Sequence, residues 1–366
     1  MPSKKILITT GGTGGHFYPA IVLARELEKR ECQILFAIRI NDSTSKRLRT
    51  EKFHYIEISA GPLFGQSIPK MLVGIFMNLL GVLKGFKILN EFNADIVVAF
   101  GSYVSVPMVI AATLKGIPVV LHEQNVVPGW ANRFCSIFAK KVAISFAETK
   151  EYFPKKSILV GNLIREEMFK SNRDRSIDVL GLKKDYKTIL IFGGSAGAKS
   201  INYQIAQSLS VLTELRKSVQ FLHLTGSAED TANLKMKYQE HQFHAVVLDY
   251  SNAMQDCYAS ADLAICRSGA TTLCELIVTQ TPALLIPYPF AINDHQRKNA
   301  AVLEHLGCAM IVSESDHLGQ DLCPMIKKTI NSETHLKTMR ESYLKFPISL
   351  KNAPAALADL VMEMKF

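Results

Sequence analysis

Short apolar runs alternate with helical patterns along the whole chain. In the first half, runs rich in Val, Ile and Leu predict strands at Lys5–Thr9, Gln33–Ile38, Tyr55–Ser59, Asp95–Phe100, Pro118–His122, Lys141–Ser145 and Ile158–Val160. In the second half, the same pattern predicts strands at Thr188–Phe192, Val219–Leu224, Ala245–Leu248, Leu263–Cys266, Ala283–Pro287 and Ala309–Val312. Strands that alternate with helices are typical of parallel sheets in doubly wound α/β domains, whose ligands bind beyond the carboxyl ends of the strands.

Two glycine-rich turns occupy equivalent places in the two halves. Residues 11–16 (GGTGGH) and residues 193–198 (GGSAGA) each follow a predicted strand and precede a helical pattern. Glycine lets the chain reverse with positive φ and lets a ligand approach the backbone. Such a turn directs N–H groups, at the positive end of a helix, towards a phosphate or a developing anion. The duplication therefore predicts two related ligand-binding domains.

The length of 366 residues also favours two domains, because single hydrophobic cores usually stop growing at about 250–300 residues. The charge-rich stretch from Lys170 to Lys187 has little apolar periodicity, which places the hinge at or shortly before it. We expect a first domain over residues 1–163 and a second over 164–345, facing each other across a cleft. The last helical pattern, within residues 346–366, is expected to pack back on the first domain.

Composition narrows the class of protein. The net charge of +9 suits an anionic membrane surface, a phosphorylated ligand or nucleic acid. The basic residues are scattered and no RNA- or DNA-binding signature is present, so we expect no nucleic-acid partner. The seven cysteines include no C-x-x-C pair, which favours reduced thiols and disfavours a zinc site. The N-terminus leads directly into a strand without the pattern of a signal peptide, so a cytoplasmic location is expected.

One apolar segment departs from the pattern of a soluble protein. Residues 71–83 are apolar except for two glycines and one asparagine, and Lys70, Lys84 and Lys87 flank them. Thirteen residues are too few to cross a bilayer core, which needs about 20. The segment is either an ordinary buried helix or an interfacial helix whose apolar face contacts lipid while the lysines lie near head groups.

In the first half, three polar loops follow predicted strands and are expected at one edge of the sheet. His16 closes the first glycine turn, residues 101–105 (GSYVS) follow the fourth strand, and residues 122–125 (HEQN) follow the fifth. His16 either faces a ligand or caps and packs the helix. Four polar residues in succession at 122–125 are hard to bury, which favours a ligand-binding role.

In the second half, the pattern of residues 267–275 (RSGATTLCE) predicts the end of a strand, a turn and the start of a helix. Residues 293–300 (NDHQRKNA) predict another polar loop. A carboxylate at Glu275 could accept hydrogen bonds from two sugar hydroxyls. No Asp-x-Asp motif occurs in the sequence, so a departing diphosphate would rely on helix N-termini and an arginine, for which Arg165 is a candidate.

Seven motifs in order, GGTGGH, GSYVS, HEQN, GN-x-x-R, GGSAGA, CRSGATTLCE and DHQ-x-x-NA, closely resemble the MurG-type N-acetylglucosaminyltransferases of bacterial peptidoglycan synthesis. The resemblance spans roughly residues 5 to 300. It implies the GT-B architecture of two Rossmann-like domains, with the acceptor site mainly in the first and the donor site mainly in the second. The chain has Ser102 where many members have glycine, and Leu163 where many have proline.

The resemblance implies that N-acetylglucosamine passes, with inversion, from UDP-N-acetylglucosamine to the 4-hydroxyl of N-acetylmuramic acid in lipid I, giving lipid II and UDP. The family does not hold its donor through an Asp-x-Asp metal site, and we expect neither a metal nor a cofactor. A peripheral location at the cytoplasmic face of the cell (inner) membrane is implied, on an anionic leaflet. Proteins of cell-wall synthesis and division are the expected partners.

The resemblance also implies roles for individual residues. Arg165 and Ser195 would meet the UDP phosphates, Glu275 the ribose hydroxyls, and Asn125 and Gln296 the transferred sugar. The full set of implied donor contacts is Thr13, Gly14, Gly15, Asn125, Arg165, Ser195, Ser251, Ala270, Thr271, Thr272, Leu273, Cys274, Glu275 and Gln296. The implied acceptor side is Gly14, Gly15, His16 and Tyr103.

For the mechanism we expect direct displacement, with His16 removing the proton of the acceptor hydroxyl and Glu123 as the rival base. An unperturbed imidazole pKa of about 6.5 lies near working pH. Three other functions stay open at this point. They are a related two-domain transferase with another nucleotide sugar or lipid acceptor, a UDP-sugar epimerase of similar architecture, and a non-catalytic nucleotide-sugar sensor or membrane-bound scaffold. HEQN together with GGTGGH disfavours the epimerase.

Overall fold

The chain folds into two compact units, each built around one parallel sheet. A computed structural model describes residues 3–12, 14–63, 67–194, 197–315 and 318–364. Unit 1 contains Met1–Arg165 and Ile348–Phe366, and unit 2 contains Glu166–Pro347. The doubly wound α/β class predicted from the alternation of strands and helices is confirmed in both units.

Unit 1 has a seven-stranded sheet with the order β3-β2-β1-β4-β5-β6-β7, in which every neighbouring pair is parallel. Its strands are β1 Lys5–Thr9, β2 Gln33–Arg39, β3 Tyr55–Ile58, β4 Ile96–Ala99, β5 Val119–Glu123, β6 Lys141–Ile144 and β7 Ser157–Leu159. Its helices are α1 Gly14–Glu28, α2 Thr44–Thr50, α3 Ile68–Phe92, α4 Ser105–Leu114, α5 Trp130–Cys135 and, from the end of the chain, α14 Ala353–Glu363. Short 3₁₀ turns cover Ala147–Tyr152 and Leu350–Asn352.

Both faces of this sheet are covered, which explains why its strands are apolar without alternation. Leu7 and Ile8 are neighbours in β1 and are fully buried, yet they belong to opposite cores. The core around Ile8 is closed by α1 and by Leu357 and Val361 of α14. The core around Leu7 is closed by α3 and α4, which pack against each other.

Helix α3 is longer than the apolar run that predicted it. It covers Ile68–Phe92, 25 residues, so by length and composition it could cross a membrane, and the expectation that the segment is too short was wrong. The apolar run continues in a helical pattern past Lys84 and Lys87 as far as Asn93, whose left-handed conformation ends the helix. The length of α3 therefore does not show how the helix meets a membrane. The packing of its faces is the observation that bears on this question.

Unit 2 has a six-stranded parallel sheet with the order β10-β9-β8-β11-β12-β13. Its strands are β8 Lys187–Phe192, β9 Val219–Leu224, β10 Ala245–Leu248, β11 Leu263–Cys266, β12 Ala283–Leu285 and β13 Ala309–Ile311. Its helices are α6 Arg173–Leu180, α7 Lys199–Ser208, α8 Ala228–Glu240, α9 Met254–Ser260, α10 Ala270–Thr279, α11 His295–Leu306, α12 Leu318–Ile330 and α13 Glu333–Ser342. Its 3₁₀ turns cover Glu166–Phe169, Thr213–Leu215, Ile292–Asp294 and Tyr343–Lys345.

The charge-rich stretch before β8 contains a helix that periodicity did not predict. Helix α6 begins at Arg173 and is capped by Asn172, whose side chain accepts a hydrogen bond from the Arg175 amide. It buries a single large apolar side chain, Ile177, and Arg173 pairs with Asp262 at 2.8 Å. Asp262 also accepts the Thr188 amide at 2.8 Å and pairs with Arg340 at 3.1 Å. A polar helix held by ion pairs leaves no apolar stripe in the sequence.

Both sheets reverse their strand order at the central strand, between β1 and β4 in unit 1 and between β8 and β11 in unit 2. In open α/β sheets, ligands bind beyond the carboxyl ends of the strands at such a reversal. The glycine turns follow β1 and β8, and the polar loops at 101–105 and 267–269 follow β4 and β11. Each unit therefore places two of its sequence motifs on the two sides of its reversal point.

Candidate active site

The unit 1 site begins at the first turn of α1. The helix starts at Gly14, which puts Gly15 and His16 in its first turn. The His16 ring reaches the loop after β4, since a Cβ on Gly101 would lie 3.3 Å from its Cε1 atom. Its Nδ1 atom is 2.9 Å from Oε1 of Gln124, at the end of β5. The structure thus brings together the three loops that the sequence placed at this edge.

The HEQN segment differs from expectation, because three of its four side chains are buried. His122, Glu123 and Gln124 are at most 1% exposed, and only Asn125 is half-buried. The reason is that hydrogen bonds satisfy each of them. His122 Nε2 donates to the Gly161 carbonyl at 3.0 Å, and Gln124 Nε2 donates to the Phe100 carbonyl at 3.2 Å.

Glu123 is held by several N–H donors at once. Its carboxylate accepts the Asn125 amide N–H at 2.9 Å, the Asn125 side chain at 3.3 Å and the Asn132 side chain at 2.8 Å. Burial raises the pKa of this carboxyl, and the hydrogen bonds from Asn125, Asn132 and the Gly129 backbone act against that rise. Glu123 therefore shapes the loop that carries Asn125, which in turn accepts a bond from Thr149 at its carbonyl.

Burial lowers the pKa of His122 to about 4, since a charged imidazole would lose its hydration there. Between about pH 6.5 and pH 4 the unfolded chain binds a proton at this residue and the folded unit does not, so stability falls as the pH falls through that window. We expect that His122→Gln lowers the pH slope of the unfolding free energy of unit 1 by about 1.4 kcal/mol per pH unit. Urea unfolding followed by fluorescence of Trp130, the one tryptophan of the chain, measures it.

The control for that measurement is His54→Gln, because His54 is an exposed residue of the same unit. Its slope should match that of the unchanged protein. An equal slope in all three proteins would contradict the assignment of a neutral, buried His122.

Asp42 is a site residue that the sequence did not indicate. Its Oδ2 atom accepts the Gly12 amide at 3.0 Å, and its Oδ1 atom accepts the amide and hydroxyl of Thr44 at 2.9 and 2.6 Å. One N–H group of the first glycine turn, that of Gly12, is therefore bonded to a carboxylate of the protein itself. Thr13 lies outside the described residues, and the amides of Gly14 and Gly15 open helix α1.

Two further predicted residues lie in unit 1. Tyr103 is 39% exposed in the loop after β4, beside Ser102, whose φ of 72° is the left-handed conformation that glycine adopts without strain. That conformation explains why glycine suits this position in other members of the family that the motifs resemble. Arg165 lies over the ring of Tyr18, with 4.8 Å between its guanidinium carbon and the ring centroid. Leu163 is buried in the core that α14 closes.

In unit 2 the second glycine turn is required by close packing. Gly197 has φ of 70°, and a Cβ there would lie 2.4 Å from the Thr225 carbonyl oxygen. A Cβ on Gly193 would lie 2.2 Å from the Ala198 amide nitrogen. Both positions therefore exclude any larger residue. Ser195, the predicted phosphate contact, lies outside the described residues.

Helix α10 places a second group of predicted residues at the edge of the unit 2 sheet. It begins after Gly269, which provides no side-chain cap, and its first turn has no acidic residue. The start of such a helix favours a bound anion. Its members Ala270, Thr271, Thr272, Leu273, Cys274 and Glu275 are the predicted nucleotide contacts. The half-buried Glu275 accepts a hydrogen bond from the Tyr258 hydroxyl at 2.9 Å, and burial keeps the pKa of that hydroxyl well above its usual value.

The remaining predicted donor contacts also follow strand ends. The Gln296 side chain accepts the Tyr288 amide at 2.9 Å, and the Gln296 carbonyl accepts the Ser268 hydroxyl at 2.8 Å. Ser251 follows β10 and caps the Ala253 amide at 3.1 Å. These contacts fix the loops around β10, β11 and β12 at one edge of the sheet.

Arg267 joins four segments of that edge, a role that the sequence did not reveal. Its guanidinium donates to the Ile286 carbonyl at 3.1 Å and to the Ser200 hydroxyl at 3.1 Å, and it pairs with Glu314. Like Asp42 and Tyr258, it contacts residues distant in sequence, so no local motif marks it. Within the described ranges, no group of three or more His, Cys, Asp or Glu side chains could hold a metal ion.

Two parallel-sheet domains with these paired turns define the GT-B class of fold. Residues 6–144 match the model of the glycosyltransferase family 28 N-terminal domain, and residues 188–353 match that of the family 28 C-terminal domain. The chain belongs to glycosyltransferase family 28, and the predicted GT-B architecture is confirmed.

Individual proteins agree with this assignment. The chain is 38% identical, over 92% of its length and 93% of the relative, to a UDP-N-acetylglucosamine–N-acetylmuramyl-(pentapeptide) pyrophosphoryl-undecaprenol N-acetylglucosamine transferase of Halothermothrix orenii. It is 34% identical to a transferase of the same name from Myxococcus xanthus, over 98% of this chain and 94% of that one. The crystal structure of Acinetobacter baumannii MurG is similar with a TM-score of 0.80 and 27% identity, covering 99% of this chain and 100% of that one.

Proposed function

We propose that this protein transfers N-acetylglucosamine from UDP-N-acetylglucosamine to the 4-hydroxyl of N-acetylmuramic acid in lipid I, giving lipid II and UDP. The observation that carries the proposal is similarity along nearly the whole chain to transferases named for this reaction. The proposed residues lie at the carboxyl edges of both sheets, where the fold binds ligands.

In unit 1, His16 acts as the general base. Its ring stands in the first turn of α1, beside the loop after β4, and its Nδ1 atom is bonded to Gln124. Donation of the Nδ1 proton to the Gln124 oxygen leaves Nε2 as the nitrogen that accepts a proton. As the 4-hydroxyl oxygen attacks the anomeric carbon, its proton passes to Nε2, and the bond from that carbon to the UDP oxygen breaks. One such displacement inverts the anomeric centre.

The contacts of Glu123 favour His16 over this rival base. The Glu123 carboxylate is fully buried and accepts bonds from Asn125 and Asn132. A base must reach the proton that it removes, and these neighbours surround the carboxylate instead. Glu123 holds Asn125 in place, and Asn125 is half-buried at the edge where the transferred sugar would be recognised.

In unit 2, the nucleotide is bound by the helix start of α10 and by Glu275. The uncapped start of α10 suits the charge that develops on the departing UDP. Glu275 lies one turn further along, where its carboxylate accepts hydrogen bonds from the two ribose hydroxyls. The Tyr258 hydroxyl fixes the orientation of that carboxylate. Gln296 and Ser251 complete the donor side of unit 2. Arg165, whose guanidinium lies over the Tyr18 ring, is the arginine proposed for the UDP phosphates.

We further propose that unit 1 binds an anionic membrane surface through α3. One face of α3 packs tightly on the unit, since a Cβ on Gly74 would lie 2.1 Å from the Pro62 carbonyl oxygen. Asn78 on the same face donates to the Gly61 carbonyl at 2.8 Å. A helix attached along one face lies on a bilayer more readily than it crosses one. The opposite face exposes large apolar side chains: Ile68, Leu72, Val73, Ile75, Phe76, Leu79, Leu80 and Leu83.

This membrane surface can be tested by adding charge to it. Phe76 and Leu79 are 61% and 57% exposed, and exposed Lys70 and Lys84 stand near the two ends of the apolar face. We expect that the double variant Phe76→Glu, Leu79→Glu lowers the affinity for anionic vesicles by at least about tenfold, because burying each apolar side chain is worth roughly 1.5–3 kcal/mol. Vesicle sedimentation measures the binding.

The matched control for the vesicle experiment is Leu344→Glu. Leu344 is 74% exposed and belongs to unit 2, so the change adds a carboxylate at an apolar surface residue that is not part of α3. Its vesicle affinity should equal that of the unchanged protein. Equal binding by the α3 double variant would contradict the membrane proposal.

The reaction itself is tested by incubating the purified protein with UDP-N-acetylglucosamine and a short-chain lipid I analogue. The expected result is release of UDP together with a product whose mass equals the acceptor plus one N-acetylglucosamine. UDP-N-acetylglucosamine binding without transfer to this acceptor would instead support a sensor or a transferase with another acceptor. Conversion of the donor sugar without an acceptor would support the epimerase.

A further inference from the structure

We infer that Gln124 and His122 are positioning residues that hold the His16 imidazole in one tautomer, with its proton on Nδ1 and its lone pair on Nε2. The inference rests on the proposed function in one respect, which is that His16 is the base of the reaction. It adds that two buried neighbours decide which ring nitrogen of His16 receives the proton of the lipid I hydroxyl. Neither neighbour touches the substrate.

The first step is the orientation of the Gln124 amide. One of its terminal atoms lies 3.2 Å from the Phe100 carbonyl oxygen. A carbonyl oxygen only accepts hydrogen bonds, so that atom of Gln124 must be the NH₂ nitrogen. The other terminal atom is then the carbonyl oxygen, and it lies 2.9 Å from Nδ1 of His16. Since this oxygen can only accept, the proton of His16 stands on Nδ1.

The second step assigns the tautomer of His122. It supports the orientation of the Gln124 amide that the first step gave. The Gln124 NH₂ group lies 3.0 Å from Nδ1 of His122, so that nitrogen must be the acceptor. The proton of His122 is therefore on Nε2, where it is donated to the Gly161 carbonyl at 3.0 Å. A cationic His122 would direct an N–H donor at the N–H donors of Gln124, which is unfavourable. Burial lowers the pKa of His122 to about 4 and so keeps the ring neutral.

These bonds form a directed chain with main-chain carbonyls as its fixed points. The Gly161 oxygen sets the tautomer of His122, the Phe100 oxygen sets the orientation of Gln124, and Gln124 sets the tautomer of His16. All three side chains between and beside these carbonyls lie within unit 1, and His122 and Gln124 are almost fully buried. A main-chain carbonyl can only accept a hydrogen bond, so the direction of this chain cannot reverse. The ring nitrogen of His16 that receives the proton is therefore fixed before lipid I binds.

The inference is tested directly by NMR of the full chain with ¹⁵N-labelled histidine. Long-range proton–nitrogen spectra at about pH 8.5, where a free imidazole is neutral, distinguish a protonated from an unprotonated ring nitrogen. The chain has ten histidines, and the His16 signals are those that disappear in His16→Gln. We expect a protonated Nδ1 and an unprotonated Nε2 for His16, and the opposite for His122. A His16 ring with its proton on Nε2 would overturn the inference whatever the activity of the protein.

Variants of Gln124 connect the tautomer to catalysis. Gln124→Leu removes the acceptor for the His16 Nδ1 proton, so the spectrum should show a mixture of tautomers. The turnover number should fall by about tenfold or more, while KM for UDP-N-acetylglucosamine stays within about twofold. Gln124→Glu keeps an oxygen acceptor facing His16, so His16 should stay protonated on Nδ1. His122 loses the N–H donor that faces its Nδ1 atom, so its own spectrum should change. A mixed spectrum with unchanged turnover would overturn the positioning role.

The matched control is Gln220→Leu, which removes another buried glutamine amide. Gln220 is fully buried in unit 2 and bonds to Lys183 and Thr188. Its replacement should leave the His16 spectrum unchanged. Should Gln124→Leu fail to fold, the spectrum of the unchanged protein still decides the tautomer. The base assignment is tested separately by removing His16, so its failure and the failure of this inference give different results.

Discussion

Replacing His16 with alanine should lower the turnover number for sugar transfer by about 10²- to 10⁴-fold, the range over which a general base contributes. KM for UDP-N-acetylglucosamine should change little, because the proposed base contacts the acceptor hydroxyl rather than the nucleotide. The reason is structural, since His16 stands in the first turn of α1 with its Nδ1 bonded to Gln124. Initial rates of UDP release with a lipid I analogue measure the effect.

The control for this prediction is His54→Ala, an exposed histidine of the same unit, whose rate should equal that of the unchanged protein. Residual activity within a few fold of normal in His16→Ala would contradict the assignment of the base. Glu123→Gln would then become the informative variant. Its own effect needs an unfolding measurement beside it, because an amide at this position opposes N–H groups of Asn125 and Asn132.

Replacing Glu275 with alanine should weaken binding of UDP by about 10- to 150-fold. Hydrogen bonds to a charged group contribute roughly 1.5–3 kcal/mol, and this carboxylate would accept them from the ribose. The half-buried Glu275 is held by the Tyr258 hydroxyl, so little ordering is needed when the nucleotide binds. Tyr258→Phe should give a smaller loss, because the carboxylate remains but is no longer fixed. Titration calorimetry with UDP measures both.

A modified nucleotide makes the test of Glu275 specific. Dideoxy-UDP, which lacks both ribose hydroxyls, should bind the unchanged protein and Glu275→Ala with equal affinity. Glu229→Ala, an exposed carboxylate of α8, should bind UDP normally. A loss of dideoxy-UDP affinity in Glu275→Ala as large as the loss for UDP would show that the carboxylate does not act through the ribose.

The strands could be predicted from the sequence because both sheets are buried on both faces. A strand such as β11 is buried at every position, so its sequence is a continuous apolar run, and the predicted bounds of Leu263–Cys266 match the structure. Helix α6 could not be predicted in the same way, since its attachment through Arg173 to Asp262 is ionic. The length of α3 was also missed, because lysines interrupt the apolar run that the helix continues through.

The positions of the candidate site residues could be predicted, but their contacts could not. Glycine turns and strand ends are local features, so His16 and Glu275 were found from their neighbours in sequence. The bond between His16 and Gln124 joins residues 108 positions apart, and the bond between Gly12 and Asp42 joins residues 30 apart. Such contacts depend on which strands lie side by side. The burial of His122 likewise follows from the Gly161 carbonyl opposite it.

The division of unit 1 between the two ends of the chain affects the order in which the protein is made. Unit 2 is continuous, and its 182 residues, Glu166 to Pro347, are synthesised between the two parts of unit 1. Chains are synthesised at about 5–20 residues per second, so roughly ten to forty seconds pass between the synthesis of the unit 1 strands and that of α14. During that time the apolar surface that Leu357 and Val361 later cover stays open. The half of the enzyme that leaves the ribosome first is therefore the half that is completed last.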